Sequence, residues 1–284
     1  MGTVRPSPGG ASPAVLKPGA AGIAGRGLFA SWLSLLVALP LAVLAWHGLE
    51  GGPSGVLAAL ELPYAWEALQ LTLWTSAVTA ILNAVMGTAT AWVLVRYRFW
   101  GRSLLSMLVD LPLAIPTLVA GLMIVNLFGP QTPLGAWCKG LGFPVAFAVP
   151  GIVLALLFIN LPFVVRSVEP VLMDLDPAEE EAAVILGART WTTLRRVLLP
   201  PLAPAIAGGT LQGFARALAE FGSIVVVSGN IPGRTLTSPV FIFGEVEAGR
   251  TEAAAAVSVV LLAIAIGLQP AVRWLNRLAG ARHV

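Results

Sequence analysis

The chain is a series of apolar runs separated by short polar segments. The runs cover roughly 28–46, 68–95, 104–128, 145–165, 203–228 and 253–275. Each is close to, or longer than, the ~20 residues that a helix needs to cross a bilayer core. The pattern predicts an all-α integral membrane bundle of six transmembrane helices. Pro112 and Pro116 lie inside the third run, and Pro150 and Pro162 inside the fourth. Spanning helices tolerate proline where neighbours satisfy the freed carbonyls, so kinked spans are expected, one of them at Asn160-Leu161-Pro162. Gly208, Gly209 and Gly213 in the fifth run suggest a closely packed face, although no strict small-residue motif is complete there.

The segments between the runs set the organisation. Residues 1–27 are rich in Gly, Pro and Ala, carry Arg5, Lys17 and Arg26, and contain no acid. They predict a disordered tail. The run 28–46 is longer than the core of a usual signal peptide and has no small-residue cleavage site directly after it, so an uncleaved first span is expected. The expected divisions are a tail at 1–27, a first transmembrane helix and outer loop at 28–66, a core at 67–275 holding a polar segment at 174–200, and a C-terminal end at 276–284.

Composition agrees with a membrane protein. Hydrophobic residues make up 57% of the chain and charged residues 11%, whereas a soluble domain carries about 25% charged residues. The net charge of +3 comes from scattered basic residues rather than a basic stripe with aromatics, which argues against a nucleic-acid partner. The single cysteine, Cys138, cannot form an intrachain disulfide and has no His or second Cys at metal-ligand spacing. His47 and His283 sit at opposite ends, which argues against a histidine-based hydrolase or a zinc site. No Gly-rich loop ending in Lys-Ser or Lys-Thr is present to hold nucleotide phosphates, so the chain reads as non-catalytic and without a cofactor of its own.

Lysine and arginine then set the orientation. Arg5, Lys17 and Arg26 precede the first span, and Arg96, Arg98 and Arg102 follow the second. Arg166, Arg189, Arg195 and Arg196 follow the fourth, and Arg273, Arg277 and Arg282 close the chain. The alternate loops hold only Lys139, Arg234 and Arg250. This asymmetry predicts both termini, and the segment 174–200, in the cytoplasm.

That segment is built as an exposed helical hairpin. Asp174 or Asp176 can cap a helix, and Pro177 suits its first position. Glu179, Glu180 and Glu181 follow, where the helix dipole favours acids. Ala182, Ile185, Leu186 and Arg189 share a face, and Gly187 permits a bend or a close approach. A second helix from Thr190 to Leu199 is expected, broken by Pro200, Pro201 and Pro204 before the fifth span.

Two charges interrupt the fifth run. Arg216 and Glu220 lie four residues apart and so share a helix face. A lone charge at bilayer depth costs at least ~2.5 kcal/mol, so the pair either lines a wet substrate path or gate, or forms an internal salt bridge that fixes packing. Asp110 can pair with a basic residue of the preceding loop or remain near the interface.

Glu181-Ala182-Ala183 and Gly187, followed by Val197, Leu199 and Pro200, resemble the coupling loop of ABC importer permeases. Other stretches extend the likeness. Ala91 to Phe99 is similar to the exit of the second span in sulfate permeases. Asp110-Leu111-Pro112 and Pro116 to Leu122 resemble their third span. Leu161 to Arg166 with Val168 to Leu172 matches their approach to the coupling segment. Phe214 to Gly222 resembles their fifth span, and Ser228 to Pro232 with Arg234-Thr235 follows as in the family. Ala219 departs from a glycine frequent there. The likeness runs from Glu67 to Arg277 and is greatest to T-type permease subunits of sulfate/thiosulfate ABC importers. Molybdate/tungstate permeases are the alternative, and a secondary anion transporter fits less well because only Glu220 lies deep and no repeat is evident.

The resemblance implies the type I importer permease fold in a bacterial inner membrane. It also implies a second homologous permease subunit, a cytoplasmic ATPase dimer that carries ATP and Mg, an extracytoplasmic sulfate-binding protein, and alternating access. Contact with membrane lipid and the absence of a nucleic-acid partner are expected as well.

Overall fold

The computed structural model describes residues 20–280, and these are helices joined by turns. The chain divides into two compact units between Trp46 and His47. The first unit is formed by helix α1 (Ala20–Leu49), which runs across that division. Its segment Leu28–Leu49 is long and apolar enough to cross a membrane. Leu28, Phe29, Trp32 and Leu36 are all exposed. The helix starts at Ala20 rather than Leu28, because Ala20, Ala21 and Ala24 are strong helix formers. Of the expected tail, residues 1–19 lie outside the described residues.

The second unit carries the bundle. After α2 (Gly52–Leu60) come α3 (Ala65–Arg96), α4 (Arg102–Ala114), α5 (Thr117–Phe128), α6 (Pro133–Gly140) and α7 (Val149–Asp174). The polar segment forms α8 (Pro177–Ile185), α9 (Thr190–Thr193) and a π-helical turn, Leu194–Leu198. Then follow α10 (Leu199–Leu218), α11 (Gly222–Val227), α12 (Ser238–Glu247) and α13 (Thr251–Gly280). Among the described residues five helices are long and apolar enough to span a membrane, or six if the bent pair α4–α5 counts as one. Residues 276–280 of the expected C-terminal end continue α13.

The centre of the bundle is the packing of α3, α7 and α10 on one another. In lipid there is no hydrophobic gain in bringing two apolar helices together, so small and hydroxyl-bearing faces do the work. Apart from Leu69 and Leu94, the buried face of α3 is small or polar, with Ala65, Ala68, Thr72, Thr75, Ser76, Thr79, Ala80, Asn83, Gly87 and Ala91. Thr72 and Thr75 donate their hydroxyls to Ala68 and Leu71 carbonyls one turn back. Asn83 donates to the Leu157 carbonyl at 3.3 Å and ties α3 to α7. Ser167 donates to the Ala205 carbonyl at 2.7 Å and ties α7 to α10. At Gly87 a Cβ would lie 2.7 Å from Val164 Cβ, so only glycine permits the α3–α7 crossing. Gly209 makes the equally close approach to α7 that its run suggested, whereas a Cβ at Gly213 would meet ordinary contacts. α7 is continuous through Pro162 and Pro170.

Two of the expected spans are not single helices. The third is broken at Ile115-Pro116, where α4 and α5 meet at 113°. Proline excludes the α region for the residue before it, and Ile115 is accordingly extended at φ −85, ψ 131. The break therefore follows from Pro116, while Pro112 is accommodated inside α4. The fifth apolar run is broken after Leu218, and its remainder forms the short α11. The two broken spans pack together through α5 and α11. A Cβ at Gly121 would lie 2.5 Å from the Ser223 carbonyl oxygen.

A further correction concerns Pro200, Pro201 and Pro204, which were expected to end a helix. Pro200 and Pro201 occupy the first turn of α10, and Pro204 lies inside it. The stretch Thr190–Leu218 is continuous. The π-turn makes this possible: Leu199 N–H donates to the Leu194 carbonyl, one residue further back than in an α-helix. The register shifts just before the prolines withdraw their donors.

The segment between α11 and α13 is tied to the rest by α12. Ser238 N–H donates to Thr72 Oγ1 at 2.8 Å. Arg250 binds Glu245 through two hydrogen bonds, of 2.6 and 2.8 Å, closing the turn from α12 to α13. Those hydrogen bonds hold the Glu245 carboxyl below its ordinary value.

Candidate functional site

The hairpin at 174–200 forms largely as its residues dictate. Asp176 caps α8, accepting from Ala178 N–H at 2.9 Å, with Pro177 in the first turn. Glu179, Glu180 and Glu181 follow at the end of the helix where its dipole favours acids. α8 ends at Ile185, and Gly187 turns the chain with φ +80. α8 packs on α9 and on the π-turn, and buries none of its own residues. Val184, Ile185, Leu186 and Trp191 stand exposed around Gly187, with Leu186 at 87% exposure. A Cβ at Gly187 would meet nothing within 4 Å. The tip of the hairpin is thus an apolar knob with open space above its glycine. At the root, Leu198 is buried, Val197 and Leu199 are half-buried, and Pro200 is exposed.

Arg216 and Glu220 do pair, at 2.8 Å, but not along one unbroken helix. α10 ends at Leu218, and Glu220 N–H closes back on the Ala217 carbonyl. Glu220 Oε1 then accepts from both Ser223 N–H and Ser223 Oγ at 3.0 Å. Glu220 therefore caps α11 while neutralising Arg216. Its side chain is 1% exposed and that of Arg216 36%. The stretch of α10 from Leu199 to Arg216 separates this pair from the hairpin by about 25 Å, at 1.5 Å per residue.

Three more ion pairs form, two at Arg166 of α7 and one between α3 and the hairpin. Arg166 on α7 donates Nε and Nη2 to the two carboxylate oxygens of Asp110 at 2.8 and 2.6 Å. It also pairs with Glu169 and donates to the Ser106 hydroxyl at 2.9 Å, locking α4 to α7. Asp110 is thus held by Arg166 and not by the loop after α3. Arg96, the last residue of α3, lies 2.6 Å from Glu180 of α8 and donates to the Leu175 carbonyl at 3.3 Å.

Residues 83–279 match the family described as the inner membrane component of binding-protein-dependent transport systems. The chain belongs to this family. The permease is 42% identical over 238 residues to a protein named probable sulfate transport system permease protein cysT of Nephroselmis olivacea, covering 84% of each chain. It is 37% identical over 253 residues to the sulfate transport system permease protein CysT of Escherichia coli (strain K12), covering 89% of this chain and 91% of that one. The sulfate transport system permease protein CysW of Synechocystis sp. is 40% identical over 235 residues, with 83% and 85% covered. Among solved structures, a chain of a bacterial ABC transporter that imports the acidic polysaccharide alginate superimposes with TM-score 0.72 at 18% identity, covering 91% and 94%. A chain of the MetNI methionine ABC transporter gives 0.58 at 17% identity, covering 76% and 96%. At such identities the structural likeness speaks for the fold alone.

In this permease the structure gathers Glu181, Ala182, Ala183 and Gly187 on the hairpin and places Val197, Leu199 and Pro200 at its root. Sequence reading missed Arg96, Glu180 as a partnered acid, Arg166 and Ser223. Arg166 and Glu169 lie three apart on one helix, which is a readable signal. Asp110 and Arg166 are 56 residues apart, and no local pattern joins them. Ser223 lies three residues after Glu220, and only the helix break makes that spacing a cap.

Proposed function

We propose that this permease is the membrane subunit of an ATP-driven importer for sulfate or thiosulfate, moving the oxyanion by alternating access. The observation that carries the reading is the exposed knob of Val184, Ile185, Leu186 and Trp191 around Gly187, on a hairpin continuous with α10. An apolar knob of this kind suits a docking partner, since large exposed apolar residues away from lipid mark interaction surfaces. The ATP and Mg would belong to a pair of ATPase subunits that grip it. The names of the relatives support sulfate as the substrate. A second homologous permease and an extracytoplasmic binding protein complete the proposed assembly in an inner membrane.

The test is ATP hydrolysis by the purified assembly with its binding protein. Sulfate or thiosulfate should stimulate it, and stimulation by molybdate alone would overturn the substrate assignment.

The proposed orientation has both termini in the cytoplasm, from the distribution of Lys and Arg. In a Cys138→Ser background, Ser54→Cys should react with an impermeant thiol reagent added to intact cells. Ser103→Cys should be shielded. Both side chains are exposed on the protein itself, so access reports the membrane side. The reverse labelling pattern would invert the topology.

A further inference from the structure

Three acids stand in a row on α8, and only the middle one turns inward. Glu179 and Glu181 are exposed, while the Glu180 side chain is 22% exposed and lies 2.6 Å from Arg96 Nη2. The Arg96 side chain is 15% exposed. The same nitrogen donates to the carbonyl of Leu175, the residue that follows α7 and immediately precedes the cap of α8. One guanidinium therefore holds both the hinge before α8 and the body of α8.

Both partners sit where the helix dipoles favour them. Glu180 is near the N-terminus of α8, and Arg96 is at the C-terminus of α3. Without this link α8 would be weakly held. It buries no residue, and its packing neighbours α9 and the π-turn belong to the same hairpin. α3, in contrast, is packed along its length against α7 and α10, with a crossing that only glycine permits at position 87. A force applied to α8 reaches that packed centre along the covalent chain into α7 and α10, and also through Arg96.

We propose that Arg96 and Glu180 are positioning residues that tie the hairpin to α3, so that movement of α8 by the ATPase is transmitted to the centre of the bundle. The proposal rests on the reading of the hairpin as the ATPase-docking segment. Loss of the tie should leave the ATPase attached and hydrolysing, but with hydrolysis uncoupled from transport.

The experiment uses the complete assembly with its binding protein and sulfate. Arg96→Gln and Glu180→Gln should each keep the ATPase bound and retain basal hydrolysis per assembled complex. Binding-protein stimulation and sulfate uptake should fall about five- to tenfold, the low end of typical coupling between two sites. The double Gln variant should be no worse than Arg96→Gln, because that single change already removes both the Glu180 pair and the Leu175 hydrogen bond. Arg96→Lys should recover most of the uptake, since its ammonium can still meet Glu180 as a point charge. A purely structural role would lower the amount of complex, not the ratio of stimulated to basal hydrolysis. If a single variant fails to accumulate, the double variant, which leaves no charge unpaired, carries the test. Unchanged stimulation, additive losses in the double variant, or release of the ATPase would each overturn the tie. Gly187→Trp is measured alongside. If it leaves ATPase attachment intact, the docking reading itself falls, whatever Arg96 does.

Discussion

Gly187→Trp should stop uptake while the chain remains inserted in the membrane. The backbone there has φ +80, a conformation that costs a non-glycine residue about 1–2 kcal/mol. That strain is the same for alanine and tryptophan. What differs is bulk, and a Cβ at Gly187 has nothing on the permease within 4 Å. Tryptophan would therefore project into the space above the knob of Ile185 and Leu186. ATPase attachment should weaken on the order of 30-fold, the equivalent of about 2 kcal/mol at the centre of an interface. Gly187→Ala should keep most of the uptake. Copurification of the ATPase and sulfate uptake, measured on both variants, decide the matter. A tryptophan variant that copurifies and transports normally would remove the hairpin from the docking role.

Arg216→Gln should destabilise the permease more than Glu220→Gln, and the double change should recover much of the loss. The asymmetry follows from burial. Removing Arg216 leaves a carboxylate that is 1% exposed without its counter-charge, and breaking such a pair costs about 3 kcal/mol or more. Removing the charge of Glu220 leaves an arginine that is 36% exposed and can reach water. Glutamine at 220 can also still accept from Ser223 and keep α11 capped. A thermal-unfolding cycle over the two singles and the double reads this directly. Uptake should recover in the double variant together with assembly. A double variant that assembles but does not transport would instead place Arg216 on the route of the anion.

The positions of the apolar runs were legible because the bilayer imposes a length that composition alone can meet. The hairpin was legible because its cap, its acids and its glycine are local signals, and local signals fix local structure. The breaks in the third and fifth runs were not. Each run reads as one apolar stretch, and neither Pro116 nor the paired charges of Arg216 and Glu220 says by itself where a helix ends. Whether a proline bends a helix or ends it depends on whether neighbours take up the freed carbonyls, and that is a property of packing. Arg216 and Glu220 were legible as a pair, but not as a pair spanning a helix end. The prolines at 200, 201 and 204 misled for the opposite reason. A rule for isolated helices was applied where a register shift five residues earlier had removed its premise.

That shift at Leu194–Leu198 has a geometric consequence. A π-turn is an α-turn holding one residue too many, and each residue of an α-helix advances the chain by about 100°. Everything before the turn is thus out of phase with everything after it by that angle, although the axis continues. The side of the rod offered to α8 and the side of α10 offered to α7 are consequently chosen independently. A single-residue deletion in the turn would restore an unbroken helical ladder and swing one of the two faces a quarter-turn away from its partner.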